Sequence, residues 1–383
     1  MGRWAAVVLL GALALPGCGG GGLRAGEVVR VAVFNAPQEA LARQAEMFRL
    51  GARLAAEEVN AAGGVRGARL DLVFLDGGCD PQRAKSAAQK LVRDAKVGLV
   101  LGPLCSGAAQ AVEGVLDKAD LPALLPVASA EYLACRGPTL FRMVPSDGRQ
   151  ARLLAQYGVR EMGLTRVAVL YEDSPFGRVA RSGFGEEAAR LGLKVLAERG
   201  YPQGTEETEE VLRQLAAANP EALFLAGDAK MGAIVARTAA RLKLKLRFLA
   251  TSLMAERLLL ELGGEAVEGF TLAEPFIFEP EAPEARQFLE RFYERFHRRP
   301  TWVAASAYDA LRLGAEAMER AGGGRGRLRH ALAAMNTAAR GYRGVTALTY
   351  FDSSGGSQRP VRIVRVEGGA FVPATAQFEP KRK

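Results

Sequence analysis

The chain has 383 residues, 49% of them hydrophobic, and a formal charge of +9. That length and apolar content supply two ordinary domains with substantial cores and exclude a disordered chain. The charge does not argue for nucleic acid: 41 of the 51 basic residues are arginine, acids alternate with them along most helices, and the longest basic run before the C-terminal residues, His297-Arg298-Arg299, has no interleaved aromatics.

Residues 1–17 read as a secretory signal. Arg3 supplies the positive start, and Trp4 to Pro16 form a 13-residue apolar stretch, too short to span a bilayer. Leu15-Pro16-Gly17-Cys18 has the form of a bacterial lipobox. Cys18 is therefore the expected lipidation site, and residues 18–27 a flexible Gly-rich tether at an anionic membrane surface. Export places Cys79, Cys105 and Cys135 where a disulfide can persist.

Strand-like runs then alternate with amphipathic helices. Val29 to Phe34 is a strand, Gln38 to Asn60 a helix closed by Gly63-Gly64, and Leu70 to Leu75 a second strand. Helix Pro81 to Asp94, strand Val97 to Leu101, helix Ser106 to Ala119 and strand Ala123 to Val127 follow. The pattern restarts at Arg166, where RVAVL echoes Arg30-Val31-Ala32-Val33-Phe34. Helix Gly177 to Leu191, strand Lys194 to Arg199, helix Glu206 to Ala218, strand Ala222 to Ala226, helix Met231 to Leu242 and strand Arg247 to Ala250 complete a second set. The remainder reads as strand Phe270 to Ala273, helices Pro283 to His297, Trp302 to Arg320 and Leu328 to Met335, and a strand pair, Val345 to Phe351 with Arg359 to Val366.

This order predicts an α/β fold of two doubly wound, Rossmann-like lobes joined by a multi-crossing hinge. The expected division assigns residues 28–146 and 276–340 to an N-terminal lobe, 147–275 and 341–375 to a C-terminal lobe, and 376–383 to a flexible tail. Facing strand ends make a cleft, the preferred place for a ligand. Cys79 and Cys105 stand at equivalent strand ends and form the favoured pair, leaving Cys135 free; Cys105 with Cys135 is the alternative.

Several segments resemble the periplasmic substrate-binding proteins of branched-chain amino-acid ABC transporters, with the type I periplasmic binding fold. They are Gly51-Ala52-Arg53, Asn60 to Gly67 (NAAGGVRG), Asp76 to Ala84 (DGGCDPQRA), Gly102 to Ser106 (GPLCS), Phe141-Arg142 with Pro145-Ser146-Asp147, Glu172 to Gly177 (EDSPFG), Glu268-Gly269-Phe270 and Ala307 to Ala310 (AYDA). The resemblance implies a disulfide between Cys79 and Cys105. It also implies that Ser106 and the Ala128-Ser129-Ala130 loop hold a ligand carboxylate. Ser106 opens a helix, whose free N–H groups and dipole favour an anion.

The second lobe departs from the leucine-binding pattern. Phe176 replaces a tyrosine, Asp228 stands where a tyrosine is expected, Ser252 takes the place of an acid, and another tyrosine is missing near Gln44. Asp228 could pair with a ligand ammonium. The implied function is an exported, lipid-anchored, monomeric solute-binding protein that captures an amino acid or related small carboxylate for an ABC permease. A regulatory or sensing lipoprotein of the same fold, resembling penicillin-binding-protein activators, is the alternative. No cofactor or metal is implied, and no nucleophile, metal or phosphate motif of an enzyme occurs.

Overall fold

The computed structural model describes residues 22–36, 42–134, 137–202, 204–205, 208–274 and 282–377. Cys18, Cys135, residues 378–383 of the tail and most of the loop from Asn35 to Glu39 lie outside them.

The first lobe is built from β1 (Val28–Asn35), α1 (Ala42–Ala61), β2 (Arg69–Asp76), α2 (Pro81–Leu91), β3 (Val97–Leu101), α3 (Ser106–Lys118), β4 (Ala123–Leu125) and β5 (Leu140–Arg142). Its five strands are parallel in the order β2-β1-β3-β4-β5. Side chains of a strand alternate between faces, and β1 shows why its sequence is apolar throughout. Val31 and Val33 enter a core with Phe48, Leu99 and Leu101, whereas Ala32 and Phe34 enter another with Val100, Val112 and Leu116. A strand covered by helices on both sides has no solvent face to mark with polar residues.

The second lobe comprises α4 (Asp147–Arg160), β6 (Arg166–Glu172), α5 (Pro175–Leu191), β7 (Lys194–Tyr201), α6 (Glu209–Ala217), β8 (Ala222–Ala226), α7 (Ala229–Arg241), β9 (Arg247–Ala250), α8 (Arg257–Gly263) and β10 (Thr271–Glu274). The chain then returns through α9 (Pro283–Phe296), α10 (Trp302–Ala321), α11 (Arg325–Ala333) and the short β11 (Tyr342–Arg343) and β12 (Leu348–Thr349), and ends in β13 (Arg362–Glu367) and β14 (Ala370–Pro373). The second sheet has seven strands, β14-β13-β10-β9-β8-β6-β7, in which β13 alone is reversed, running antiparallel to both its neighbours β10 and β14. Its two faces repeat the logic of the first: Val167 and Val169 enter one core, Ala168 and Leu170 the other.

Three features differ from the sequence expectation. Strand β5 and helix α4, between Val127 and Arg166, are not predicted. The run Val345 to Phe351 does not pair as a strand with Arg359 to Val366: β12 pairs with β11, β13 pairs with β10 and β14, and the one bridge from the first run, Phe351 to Ser357, falls short of the second. Ile363, Val364 and Val366 find their apolar partners in the second lobe instead. Finally, the return to the second lobe comes later than residue 341. Tyr342 and Phe351 are buried in the first lobe's core, and Arg142 of β5 exchanges backbone hydrogen bonds with Gly355 and Ser357.

Helix α10 packs along α1 at the centre of the first lobe. Gly51 permits this approach, since a Cβ there would lie 2.0 Å from the Ala304 carbonyl oxygen. Among the described residues no helix is long and apolar enough to cross a membrane.

Candidate functional site

The carboxyl ends of β1, β2 and β3 are stitched together on one edge of the first lobe. Gly78 donates its N–H to Asn35 O at 2.9 Å, and Cys105 donates to Gly78 O at 3.0 Å. A disulfide joins Cys79 to Cys105, with Cα atoms 4.8 Å apart. Cys105 occupies the capping position of α3 without a side-chain cap bond, which leaves Ser106 as the first helical residue.

Ser106 is buried, and its hydroxyl oxygen accepts from the Ala130 N–H at 3.2 Å. The bond uses a lone pair of the oxygen, so the hydroxyl proton can still be donated. Ser129 donates to Asp147 Oδ2 at 2.8 Å, and the Asp147 N–H returns to Ser129 O at 3.1 Å. Ser106, Ser129 and Ala130 are thus brought into one continuous polar rim, with Ala128 buried beside them. Burial pushes the Asp147 carboxyl up to about 7, against the opposing pull of the Ser129 hydroxyl and the Arg142 charge. Asp147 was not singled out from the sequence as a site residue, although the Pro145-Ser146-Asp147 segment was noticed.

On the second lobe, the strand ends carry acids. Glu172 closes β6 and Glu274 closes β10, and both are buried. Burial raises the carboxyl of Glu172, with Asp228 adding to the shift and the Ser174 hydroxyl opposing it. Asp228 follows β8 and caps α7, its Oδ1 accepting from the Met231 N–H at 2.8 Å. The cap occupies one carboxylate oxygen and leaves the other for a further partner. Phe176 lies in the first turn of α5, just short of full burial. Gly177 beside it is obligatory, because a Cβ there would meet the Glu172 carbonyl oxygen at 2.0 Å. Tyr201, at the end of β7, brings a phenol against Gly227, where it donates to Ala226 O at 3.4 Å. A hydroxyl is therefore present beside Asp228, supplied by β7, which lies beyond β6 from β8 in the sheet.

Ser252 opens a buried 3-10 turn after β9 and has no acidic side chain of its own. The acid stands four residues later: Glu256 is buried and pushed up to about 7, chiefly by desolvation. Gln44 of α1 donates to Glu256 Oε2 at 3.0 Å, a hydrogen bond between the lobes. A cavity of about 560 Å³ opens between α1 and α8 at this point, lined by Arg43, Gln44, Glu256, Arg257, Tyr293 and Arg298. Sequence reasoning missed Glu172, Glu256 and Glu274. The available signal was an acid at the carboxyl end of an apolar strand, which Glu172 and Glu274 both show. Among the described residues no group of three or more His, Cys, Asp or Glu could hold a metal ion.

The architecture, two lobes with strand ends facing a shared gap, fits a known family. The profile of the family described as periplasmic binding protein matches residues 28–370. The chain belongs to that family. Its relatives bind solutes and are not enzymes. A leucine-, isoleucine-, valine-, threonine- and alanine-binding protein of Pseudomonas aeruginosa is 25% identical over 299 residues, covering 78% of this chain and 80% of the relative. The periplasmic binding fold is equally plain in solved structures. The leucine-binding protein LivK of Thermotoga maritima superposes with a TM-score of 0.84 at 22% identity, over 91% of this chain and 98% of that one. A solute-binding protein of R. palustris in complex with benzoate gives 0.81 at 18% identity, over 90% and 95% of the two chains. The periplasmic binding protein described here is thus an exported two-lobed receptor. Its Cys79–Cys105 disulfide matches both the pairing favoured from the positions of the cysteines and the one the resemblance implied.

Proposed function

We propose that this protein captures an amino acid or a related small carboxylate between its lobes and delivers it to an ABC permease. The observation that carries the reading is the rim made by Ser106 and Ala130 at the start of α3. There a hydroxyl with a free proton stands at the N-terminus of a helix of 13 residues. Unpaired backbone N–H groups and the helix dipole favour an anion at that place. Ser129 and the backbone of Ala128 complete the carboxylate seat. Phe176, Asp228, Ser252 and Gln44 close over the rest of the ligand as the lobes approach. Closure excludes water and strengthens each polar contact, and the closed form is the shape a permease would read. Lipidation of Cys18 would hold the monomeric receptor at the envelope membrane.

The relatives support this reading in kind: the P. aeruginosa protein is named for amino acids, the R. palustris protein was solved with benzoate, and both ligands are small carboxylates. Replacing Ser106 by Ala removes one buried hydrogen bond to the ligand. Carboxylate affinity measured by calorimetry should fall by about 1 to 3 kcal/mol. An unchanged affinity would take Ser106 out of the site.

A further inference from the structure

The second-lobe rim holds more carboxyl groups than one ammonium group can pair with. Glu172, Asp228 and Glu274 stand at the carboxyl ends of β6, β8 and β10, and Glu256 follows β9. In the sheet order β10-β9-β8-β6 these are four successive strand ends, a span of about 14 Å at ordinary strand spacing. The acids form two couples. Glu172 lies within electrostatic reach of Asp228, and Glu274 within reach of Glu256. The two couples meet through Asp228 and Glu256.

No basic side chain among the described residues pairs with any of the four. Arg43, the one cation that acts on Glu256, is directed to Glu261 at 3.8 Å, which also takes Arg257 at 2.8 Å. Arg298 pairs with Glu46 at 2.6 Å. Three of the four arginines of the cavity wall, Arg43, Arg257 and Arg298, are thus matched with outer carboxylates, and the inner carboxyl groups are left over.

Two neutral groups point to the same missing partner. Gln44 is 7% exposed, and its Nε2 is committed to Glu256, yet its Oε1 is buried with no donor. Thr251, at the end of β9 between the two couples, is fully buried with an unpartnered Oγ1. Buried polar atoms without partners are rare and costly. The Gln44 Oε1 can only accept and the Thr251 hydroxyl can accept as well as donate, so a multiple N–H donor would satisfy both.

We propose that the cleft selects amino acids carrying a second positive group at the end of the side chain, of the lysine or arginine kind. Glu172 and Asp228 receive the α-ammonium. Glu256, Glu274 and the Gln44 Oε1 receive the distal ammonium or guanidinium. This assignment rests on the carboxylate seat proposed above and narrows the ligand class for the same cleft.

Burial holds the carboxyls of Glu172, Glu256 and Glu274 above their ordinary range. A dicationic ligand draws them back to the charged form, so its binding releases protons that a neutral side chain does not displace. Calorimetry with L-lysine, L-arginine, L-leucine, cadaverine and benzoate, in two buffers of different ionisation enthalpy at pH 6.5, tests the assignment. The expected result is lysine or arginine bound at least tenfold tighter than leucine, with greater proton release. Glu274→Gln should narrow that preference at least tenfold. If that variant does not fold, the proton release of the wild-type protein decides. Leucine or benzoate binding more tightly than both basic amino acids would overturn the dicationic ligand and leave the carboxylate seat standing, provided Ser106→Ala still weakens the bound compound. Cadaverine binding as well as lysine would overturn the need for a carboxylate, and with it the seat. Failure of lysine and arginine to bind at all would overturn the inference.

Discussion

Asp147 joins the two lobes' chemistry at a single carboxyl. It lies at the crossing into α4, is fully buried, and accepts from Ser129 in the loop proposed to seat a ligand. Its ordinary value of 3.8 is raised to about 7 by burial, and that of Glu256 is raised from 4.5 to about 7. The folded protein therefore keeps protons on these groups up to about pH 7, whereas the unfolded chain releases them near pH 4. Where the folded state binds more protons, stability falls as pH rises. Each such group contributes a slope of about 1.4 kcal/mol per pH unit across that window. Urea titrations of the ligand-free protein at pH 5, 6 and 7 should show declining stability, and Asp147→Asn should reduce the slope by one group's share. An unaltered slope would assign the effect elsewhere.

The sequence exposed the first-lobe rim but only part of the second, and the reason lies in the residue types. Ser106 follows a cysteine at a strand-to-helix junction, and Ser129 and Ala130 sit in the next strand-end loop, positions that the family resemblance marks. Asp228 was visible for the same reason, and its cap bond to Met231 is compatible with a second partner on its other oxygen. Glu256 is six residues beyond the end of its strand, separated from it by the 3-10 turn Ser252–Met254. No spacing rule reports that offset.

Among the elements, the unit from β2 to α3 depends most on a covalent tie. The Cys79–Cys105 disulfide closes a separation of 26 residues, for which the loop-entropy relation gives about 3.5 kcal/mol of stabilisation. It also holds Cys105 at the start of α3, directly before Ser106. A Cys79→Ser/Cys105→Ser protein should lose about 2 to 4 kcal/mol in chemical denaturation, and its carboxylate affinity should fall as the rim loosens. Full stability with weakened binding, or the reverse, would separate the two roles of the bridge.

Helices and strands of ordinary length were legible from periodicity; short or compositionally plain ones were not. β5 has three residues, Leu140–Arg142, too few to show alternation. Helix α4 buries Ala151, Leu154, Ala155, Tyr157 and Gly158, a face made largely of small residues, against α5. The run from Arg359 to Val366 was recognised as apolar and extended, but its partner was misassigned. A sequence records that a strand needs neighbours without recording which sheet supplies them, and here the core of the second lobe outcompetes the nearby Val345 to Phe351 segment.

At the scale of the whole molecule, the third crossing between lobes is fastened by one buried ion pair. Asp309 of α10 accepts from the N–H groups of Val345 and Thr346, both at 2.8 Å, and from the Thr346 hydroxyl. Arg359, on the segment leading into β13, places Nη2 3.9 Å from Asp309 Oδ2 and donates through Nε to Thr349 Oγ1 at 2.7 Å. Both side chains are essentially inaccessible to solvent. The partners are not equivalent. Removing Arg359 leaves Asp309 three donors, whereas removing Asp309 strands a buried guanidinium and two backbone N–H groups. Asp309→Ala should cost about 3 to 5 kcal/mol, the range for breaking a buried pair from one side, and Arg359→Met clearly less, as read from denaturant midpoints. Because buried ion pairs can be replaced by apolar groups of similar volume at small cost, Asp309→Leu combined with Arg359→Met should recover part of the loss. It should not recover all of it, since the N–H groups of Val345 and Thr346 stay without an acceptor. Equal losses in the two single variants would mean that the charge pair alone, and not the three-donor seat on Asp309, fastens the crossing.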